Sequence, residues 1–168
     1  MRTEYGWEEI EHRLHRAMSL VLDNDSYLIE HGPSERAVAH RLAVYLEQEF
    51  PEWHVDCEYN RQGGDTSRKQ VRLNGVLKNA DPDIIVHRRG RVDRDGSGPG
   101  RNLLAVEVKP QDGDPKEIRH DMNKLLEYLD THHYAFAVLV LYEIGGYGFK
   151  RIELATQPAS DLKVPHLP

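Results

Sequence analysis

A strand that is apolar on both faces can be buried only inside a sheet that is covered above and below. The run Asn102-Leu-Leu-Ala-Val-Glu107-Val-Lys109 is such a strand until its last three positions. A second one, Tyr134 to Tyr142, is apolar for nine residues. Between them, residues 114–129 place Ile118, Met122, Leu125, Leu126 and Leu129 at helical spacing, which predicts an amphipathic helix. Two buried strands joined through a helix fix the class as α/β.

The rest of the chain fits around this unit. Trp7, Ile10, Leu14, Met18 and Val21 form one stripe, predicting a helix over 7–21 that Asp23-Asn-Asp-Ser26 ends. Ser34 follows Gly32-Pro33 as the N-cap of a second helix, with Val38, Leu42, Tyr45, Leu46 and Phe50 inward and Pro51 as its stop. Trp53 to Tyr59 alternates apolar and polar, as a half-buried antiparallel strand does. Residues 61–69 are a polar loop, with short strand material following at Val71–Leu73. Asp83-Ile-Ile-Val-His87 is a short buried strand, residues 88–101 a glycine- and arginine-rich hairpin tip, and Phe149–Leu154 a weaker strand. The expected fold is a mixed central sheet with helices on both faces and an extra N-terminal helix. The 168 residues make a single domain, and the proline-bearing tail, 155–168, is loosely ordered.

The chemistry sits where charge interrupts the buried strands. With a side-chain period of two, Leu103, Ala105, Glu107 and Lys109 share one face, and Leu104, Val106 and Val108 the other. Glu107 and Lys109 therefore enter the same space. Ionised groups there need a partner or a metal, and a structural salt bridge between the two is the simplest alternative. In Asp81-Pro82-Asp83, both acids face the same way, and Asp83 leads the strand. A hairpin between this strand and the next sets Asp83 beside Glu107 at one end of the sheet, with the arginine-rich tip at the opposite end. Two adjacent carboxylates repel each other, and a divalent cation with oxygen ligands and open water positions, Mg²⁺ or Mn²⁺, removes that repulsion. Glu35 lies on the inner stripe of its helix, three residues before Val38. It is either a third acid aimed at the same cluster or a charge favoured by the helix N-terminus.

Asp83 after Pro82, followed by Glu107-Val-Lys109 on the next apolar strand, resembles the PD-(D/E)xK nuclease superfamily, whose members share the restriction-endonuclease-like αβββαβ core. The resemblance covers roughly residues 33–142. It implies a Mg²⁺- or Mn²⁺-dependent endonuclease, a hydrolase of phosphodiester bonds. Asp83, Glu107, Lys109 and Glu35 are then the catalytic set. Asp83, Glu107, the main-chain oxygen of Val108, and Glu35 are the metal ligands, and Lys109 acts on the attacking water. Asp81 rivals Asp83 as the ligand. The resemblance also points to a polar or basic residue on the following helix, where Asp121 and Lys124 stand; an i,i+3 pair on a helix surface explains these two equally well.

Net charge is −6, which by itself counts against a protein that coats nucleic acid. The charge is unevenly spread: residues 1–60 carry 5 basic and 13 acidic side chains, whereas residues 61–101 carry 10 and 5. Arg61, Arg68, Lys69 and Arg72 precede the acid-bearing strands, and Arg88, Arg89 and Arg91 follow. With Lys124 they are the expected nucleic-acid contacts, and DNA is favoured over RNA. No helix-turn-helix or zinc-finger pattern is present, so structure-directed cleavage, or service inside a larger system, is the expected mode. The rival is a catalytically inactive binding or assembly protein on the same fold, with a homodimer as one form. A single cysteine, Cys57, and the lack of an apolar leader or span lead to the expectation of a cytoplasmic protein without a membrane partner. The ten histidines follow no zinc pattern and are expected in surface or loop positions.

Overall fold

The computed structural model describes residues 5–32, 34–59, 70–73, 75–79, 81–89, 102–145 and 148–155. The expected loop at 61–69, most of the arginine-rich tip, and the tail from residue 156 lie outside them. The order is α1 (Trp7–His31), α2 (Glu35–Glu49), β1 (His54–Cys57), β2 (Gln70–Leu73), β3 (Val76–Asn79), β4 (Ile84–His87), β5 (Asn102–Pro110), α3 (Pro115–Asp130), β6 (Phe136–Glu143) and β7 (Gly148–Leu154).

Five strands form one mixed sheet in the order β1-β4-β5-β6-β7, and β2 and β3 form a separate two-stranded sheet. β5 and β6 are parallel, joined through α3, and the other neighbours in the large sheet are antiparallel. One core layer packs α1 and α2 against the sheet through Leu14, Val21, Leu42, Leu46, Val106 and Val138. The opposite layer packs Leu125 and Tyr128 of α3, with Val71 of β2, against Ile85, Ala105 and Leu139. The molecule is therefore α/β, with its mixed sheet flanked by helices on both faces. Among the described residues no helix is long and apolar enough to cross a membrane.

Several expectations need correction. α1 does not end at 21–26. It runs to His31 across a kink at Asp25 (φ −132°, ψ 26°), where the Asp25 carboxylate accepts bonds from Arg41 Nε (2.9 Å) and the Tyr45 hydroxyl (2.6 Å) of α2. Those cross-helix bonds hold a segment whose own composition favours a stop. The period of two breaks at Leu103: pairing steps from Val86–Leu104 to His87–Asn102, so Leu103 is the extra residue of a bulge. Its side chain joins Leu104 on the α1–α2 side instead of sharing a face with Ala105. In α3 the fully buried positions are Asp121, Leu125 and Tyr128, while Ile118, Met122, Leu126 and Leu129 are only partly covered. β3 was not anticipated. The register pairs Leu73 with Val76, leaving a two-residue connection, Asn74-Gly75, and an Asn-Gly pair between strand-like runs is the signal for such a hairpin. His87 is buried on β4 rather than at the surface or in a loop, while His132 lies in the α3–β6 loop as expected but is buried there, each 5% exposed.

Candidate active site

The β4–β5 register decides the first question. Ile84 pairs with Val106, so the next position outward sets Asp83 against Glu107, as the period of two predicts. Asp83 Oδ2 accepts a 2.8 Å bond from the Val108 amide, which fixes the carboxylate across the end of the two strands. Asp81 is exposed and lines the same cavity, but the bond to β5 belongs to Asp83. Val108 contributes this amide, while its side chain lies in the α1–α2 core.

Glu107 is 1% exposed, a carboxylate inside the sheet. Burial, reinforced by the charges of Asp83 and Asp121, pushes its pKa well above the ordinary value, against the pull of Lys124. Lys124 Nζ lies 2.8 Å from Glu107 Oε1 and 3.4 Å from Asp121 Oδ1. Burial also raises Asp83, although the Val108 amide and the two lysines oppose it. Lys109 reaches the other way. Its Nζ donates to Glu35 Oε2 at 2.7 Å and stands 3.4 Å from Asp121 Oδ2. Burial works against its charge, but the bond to Glu35 and the charge of Asp121 outweigh that, so the amine is held above its ordinary value as a cation.

Glu35, Asp83, Glu107 and Lys109 are thus brought to one end of the sheet, each from its own position on α2, before β4, and along β5. Sequence reasoning gave less than its due to α3. Asp121 and Lys124 do form an i,i+3 pair, but the pair faces β5, with Asp121 buried and Lys124 only partly exposed, 7% and 15% by side chain. The spacing of Asp121 from Leu125 and Tyr128, four and then three, was the available signal that Asp121 lies on the inward stripe. Tyr128 is a further neighbour: its hydroxyl is buried with no hydrogen-bond partner among the described residues, and burial, with the charge of Glu107 next, drives its pKa upward.

The cluster opens into a cavity of about 380 Å³ lined by Glu35, Arg36, Lys78, Asp83, His120 and Lys124, among others. Among the described residues no group of three or more His, Cys, Asp or Glu side chains converges to hold a metal ion. The ammonium of Lys109 separates Glu35 from Asp121. Asp83 and Glu107 remain as an adjacent pair of oxygen donors, and one or two carboxylates completed by water and substrate phosphate is the usual donor set for Mg²⁺.

The expected nucleic-acid contacts divide. Arg61, Arg68, Lys69 and Arg91 lie outside the described residues. The Arg72 guanidinium donates to the Gly75 carbonyl (3.2 Å), and Lys124, partly buried, pairs with Glu107 while lining the cavity. Arg88 and Arg89 sit at the far end of β4, roughly 15 Å along the strand from Asp83. There Arg88 lies 4.5 Å over the Trp53 ring and Arg89 makes a two-armed pair with Asp56, which also accepts a 2.7 Å bond from His87 Nε2. These two arginines line a second cavity with Glu52 and His54.

A scan against protein-family models and searches of curated proteins and of solved structures found no match to the chain.

Proposed function

We propose that this chain is a metal-dependent nuclease of the PD-(D/E)xK kind, with a restriction-endonuclease-like core, that hydrolyses phosphodiester bonds of DNA. The observation that carries the reading is the juxtaposition of Asp83 and Glu107 across adjacent antiparallel strands, with the Lys109 cation two residues further along β5. Asp83 and Glu107 would hold the Mg²⁺ or Mn²⁺, with the Val108 carbonyl as the further expected ligand, while Glu35, expected as a ligand too, is engaged by Lys109. When bound, the ion supplies charge neutralisation at the phosphate and a water of lowered pKa. The Val108 amide orients Asp83. Glu35 and Asp121 keep Lys109 protonated, so that a fixed positive charge faces the phosphate as negative charge develops on it. Lys124 sets the position of Glu107. The water oxygen bonds to phosphorus as one P–O ester bond breaks, and the sugar oxygen leaves as an alcohol, taking up a proton in place of the one the water gives up.

A second reading, a non-catalytic binding or assembly protein on the same fold, is favoured by one observation: Lys109 and Lys124 already pair internally with Glu35, Asp121 and Glu107.

An assay of the purified chain against duplex, single-stranded and branched DNA with Mg²⁺ or Mn²⁺ separates the two. The nuclease reading expects cleavage that Glu107→Ala abolishes and that Lys109→Ala slows by roughly 10²–10³. No cleavage of any substrate, together with no Mn²⁺ binding by calorimetry, supports the second reading and overturns the first.

A further inference from the structure

The β2–β3 hairpin is anchored along one strand and bare along the other. Val71 of β2 is fully buried in the α3-side core. The Arg72 amide donates to the Glu127 carboxylate at 3.1 Å, and His132 Nε2 donates to the Gln70 carbonyl at 2.8 Å. In β3, by contrast, every residue from Val76 to Asn79 is exposed. Val76 is 57% exposed and Leu77 54%. Successive strand side chains point to opposite sides, so both sides of β3 are largely open. The turn beside them is tight, with Gly75 at φ +79°, a conformation that favours glycine. Val76 and Leu77 are thus two neighbouring large apolar side chains, each more than half exposed, held on a ribbon that is itself fixed to the core.

The position of this tip identifies what it contacts. Lys78 and Asn79, at the other end of β3, line the cavity that holds Asp83. Val76 and Leu77 stand one to three residues further out, about 3–10 Å along the strand. Successive nucleotides of one DNA strand rise about 3.4 Å each. A phosphate at the acid cluster therefore carries bases one to three steps away to the apolar tip. The hairpin also carries exposed cations, Arg72 opposite Leu77 and Lys78 next to it. Cations suit the phosphates, and an apolar tip suits base faces, which apolar wedges reach by separating base steps.

We propose that the Val76–Leu77 tip of the β2–β3 hairpin packs against nucleobases one to three nucleotides from the phosphate at the Asp83–Glu107 cluster, and so selects DNA whose base stack opens readily there. The inference rests on the nuclease reading for where the phosphate lies, but it is tested by binding.

The experiment measures fluorescence anisotropy without divalent metal. Its probes are three labelled DNAs of shared sequence: an intact duplex, a branched junction and a single strand. The proteins are the wild type, the double variant Val76→Ser/Leu77→Ser, whose changes lie at exposed positions, and Lys78→Gln. The wild type is expected to bind the junction about tenfold more tightly than the duplex. The double variant brings that ratio near one, with an unchanged slope of log K against log salt. Lys78→Gln lowers the slope by about one and keeps the ratio. A 2-aminopurine within three nucleotides of the junction brightens with the wild type and not with the double variant. Equal ratios and equal brightening for wild type and double variant overturn the proposal, and so does a wild type that binds none of the DNAs. A change in molar mass by light scattering in the double variant also overturns it, since the tip is then an interface between copies. A wild type that binds through the tip but never cleaves keeps this inference and removes the nuclease reading. A wild type that cleaves with an insensitive tip does the reverse.

Discussion

Carboxylates stand at both ends of β4, Asp56 of β1 bonded to His87 and Asp83 leading the strand, and the protein treats them oppositely. At the His87 end, burial works to raise Asp56, but the bonds from Arg89 and His87 outweigh it and hold the carboxyl below its ordinary value. At the Asp83 end, burial wins. Asp83 and Glu107 face each other with Asp121 close by, and both are raised despite two lysines. A carboxylate that serves the fold is matched until its charge is stabilised in place. Two crowded acids with raised pKa values, Asp83 and Glu107, are costly to the folded state, and such arrangements concentrate at functional sites. The contrast supports the acid end as the site and the Asp56 end as a structural clasp.

The largest effect expected from this contrast is at Lys124. Its ammonium lies 2.8 Å from Glu107, and the carboxylate is almost wholly buried. Lys124→Met should cost about 3 kcal/mol at pH 7, because removing one partner of a buried pair leaves the other uncompensated. The loss should shrink as the pH is lowered, since a protonated Glu107 needs no partner. The double variant Glu107→Gln/Lys124→Met should recover most of it. Urea unfolding of the three variants measures these differences. A cost below about 1 kcal/mol for Lys124→Met would show that the acid end is no less well matched than the clasp.

A second, smaller effect distinguishes the ends by the sign of their pH dependence. The folded pKa of Asp56 lies below the ordinary 3.8, so its contribution is present above that value and is lost as the pH falls through the folded pKa. Glu107 is raised above 4.5, so the folded state binds a proton the unfolded chain has released, and stability falls as the pH rises from 4.5 toward the folded pKa. The stability curve should therefore rise out of acid and then decline, by at most about 1.4 kcal/mol per pH unit for each proton. Asp56→Asn should flatten the acid limb and Glu107→Gln the declining limb, read from denaturation midpoints between pH 2 and pH 8. A Glu107→Gln curve parallel to the wild type would remove the distinction between the ends.

Much of the acid end was legible in the sequence because it depends on local rules. The period of two along β5 and the leading position of Asp83 are enough to place Asp83 beside Glu107, and the observed register agrees. Ser34 was equally readable, and its hydroxyl accepts from the Ala37 amide as an N-cap. What escaped depends on contacts between distant segments. Lys124 and Asp121 look like a surface i,i+3 pair until α3 is laid across β5. The Leu103 bulge comes from how β4 and β5 finish their pairing, which no periodicity within β5 records. The extension of α1 through Asp25 needs Arg41 and Tyr45 of another helix. β3 is the exception, because Asn74-Gly75 announced it locally.

The smallest effect concerns the clasp itself. Arg89 is half exposed and Asp56 is 18% exposed, so their pair is partly screened by water, unlike Glu107 with Lys124. Arg89→Ala should cost about 1 kcal/mol, the upper end for pairs open to solvent, and the loss should decline in high salt. Arg89→Lys should recover only part of it, because an ammonium cannot reproduce the two-armed contact of a guanidinium with a carboxylate. Asp56 keeps its bond from His87 in both variants, which limits the loss. If Arg89→Ala instead matched Lys124→Met in cost, Asp56 would be as dependent on a single cation as Glu107 is. The two ends of β4 would then differ in pKa but not in energetic design, and raised pKa values alone would have to carry the case for the acid end.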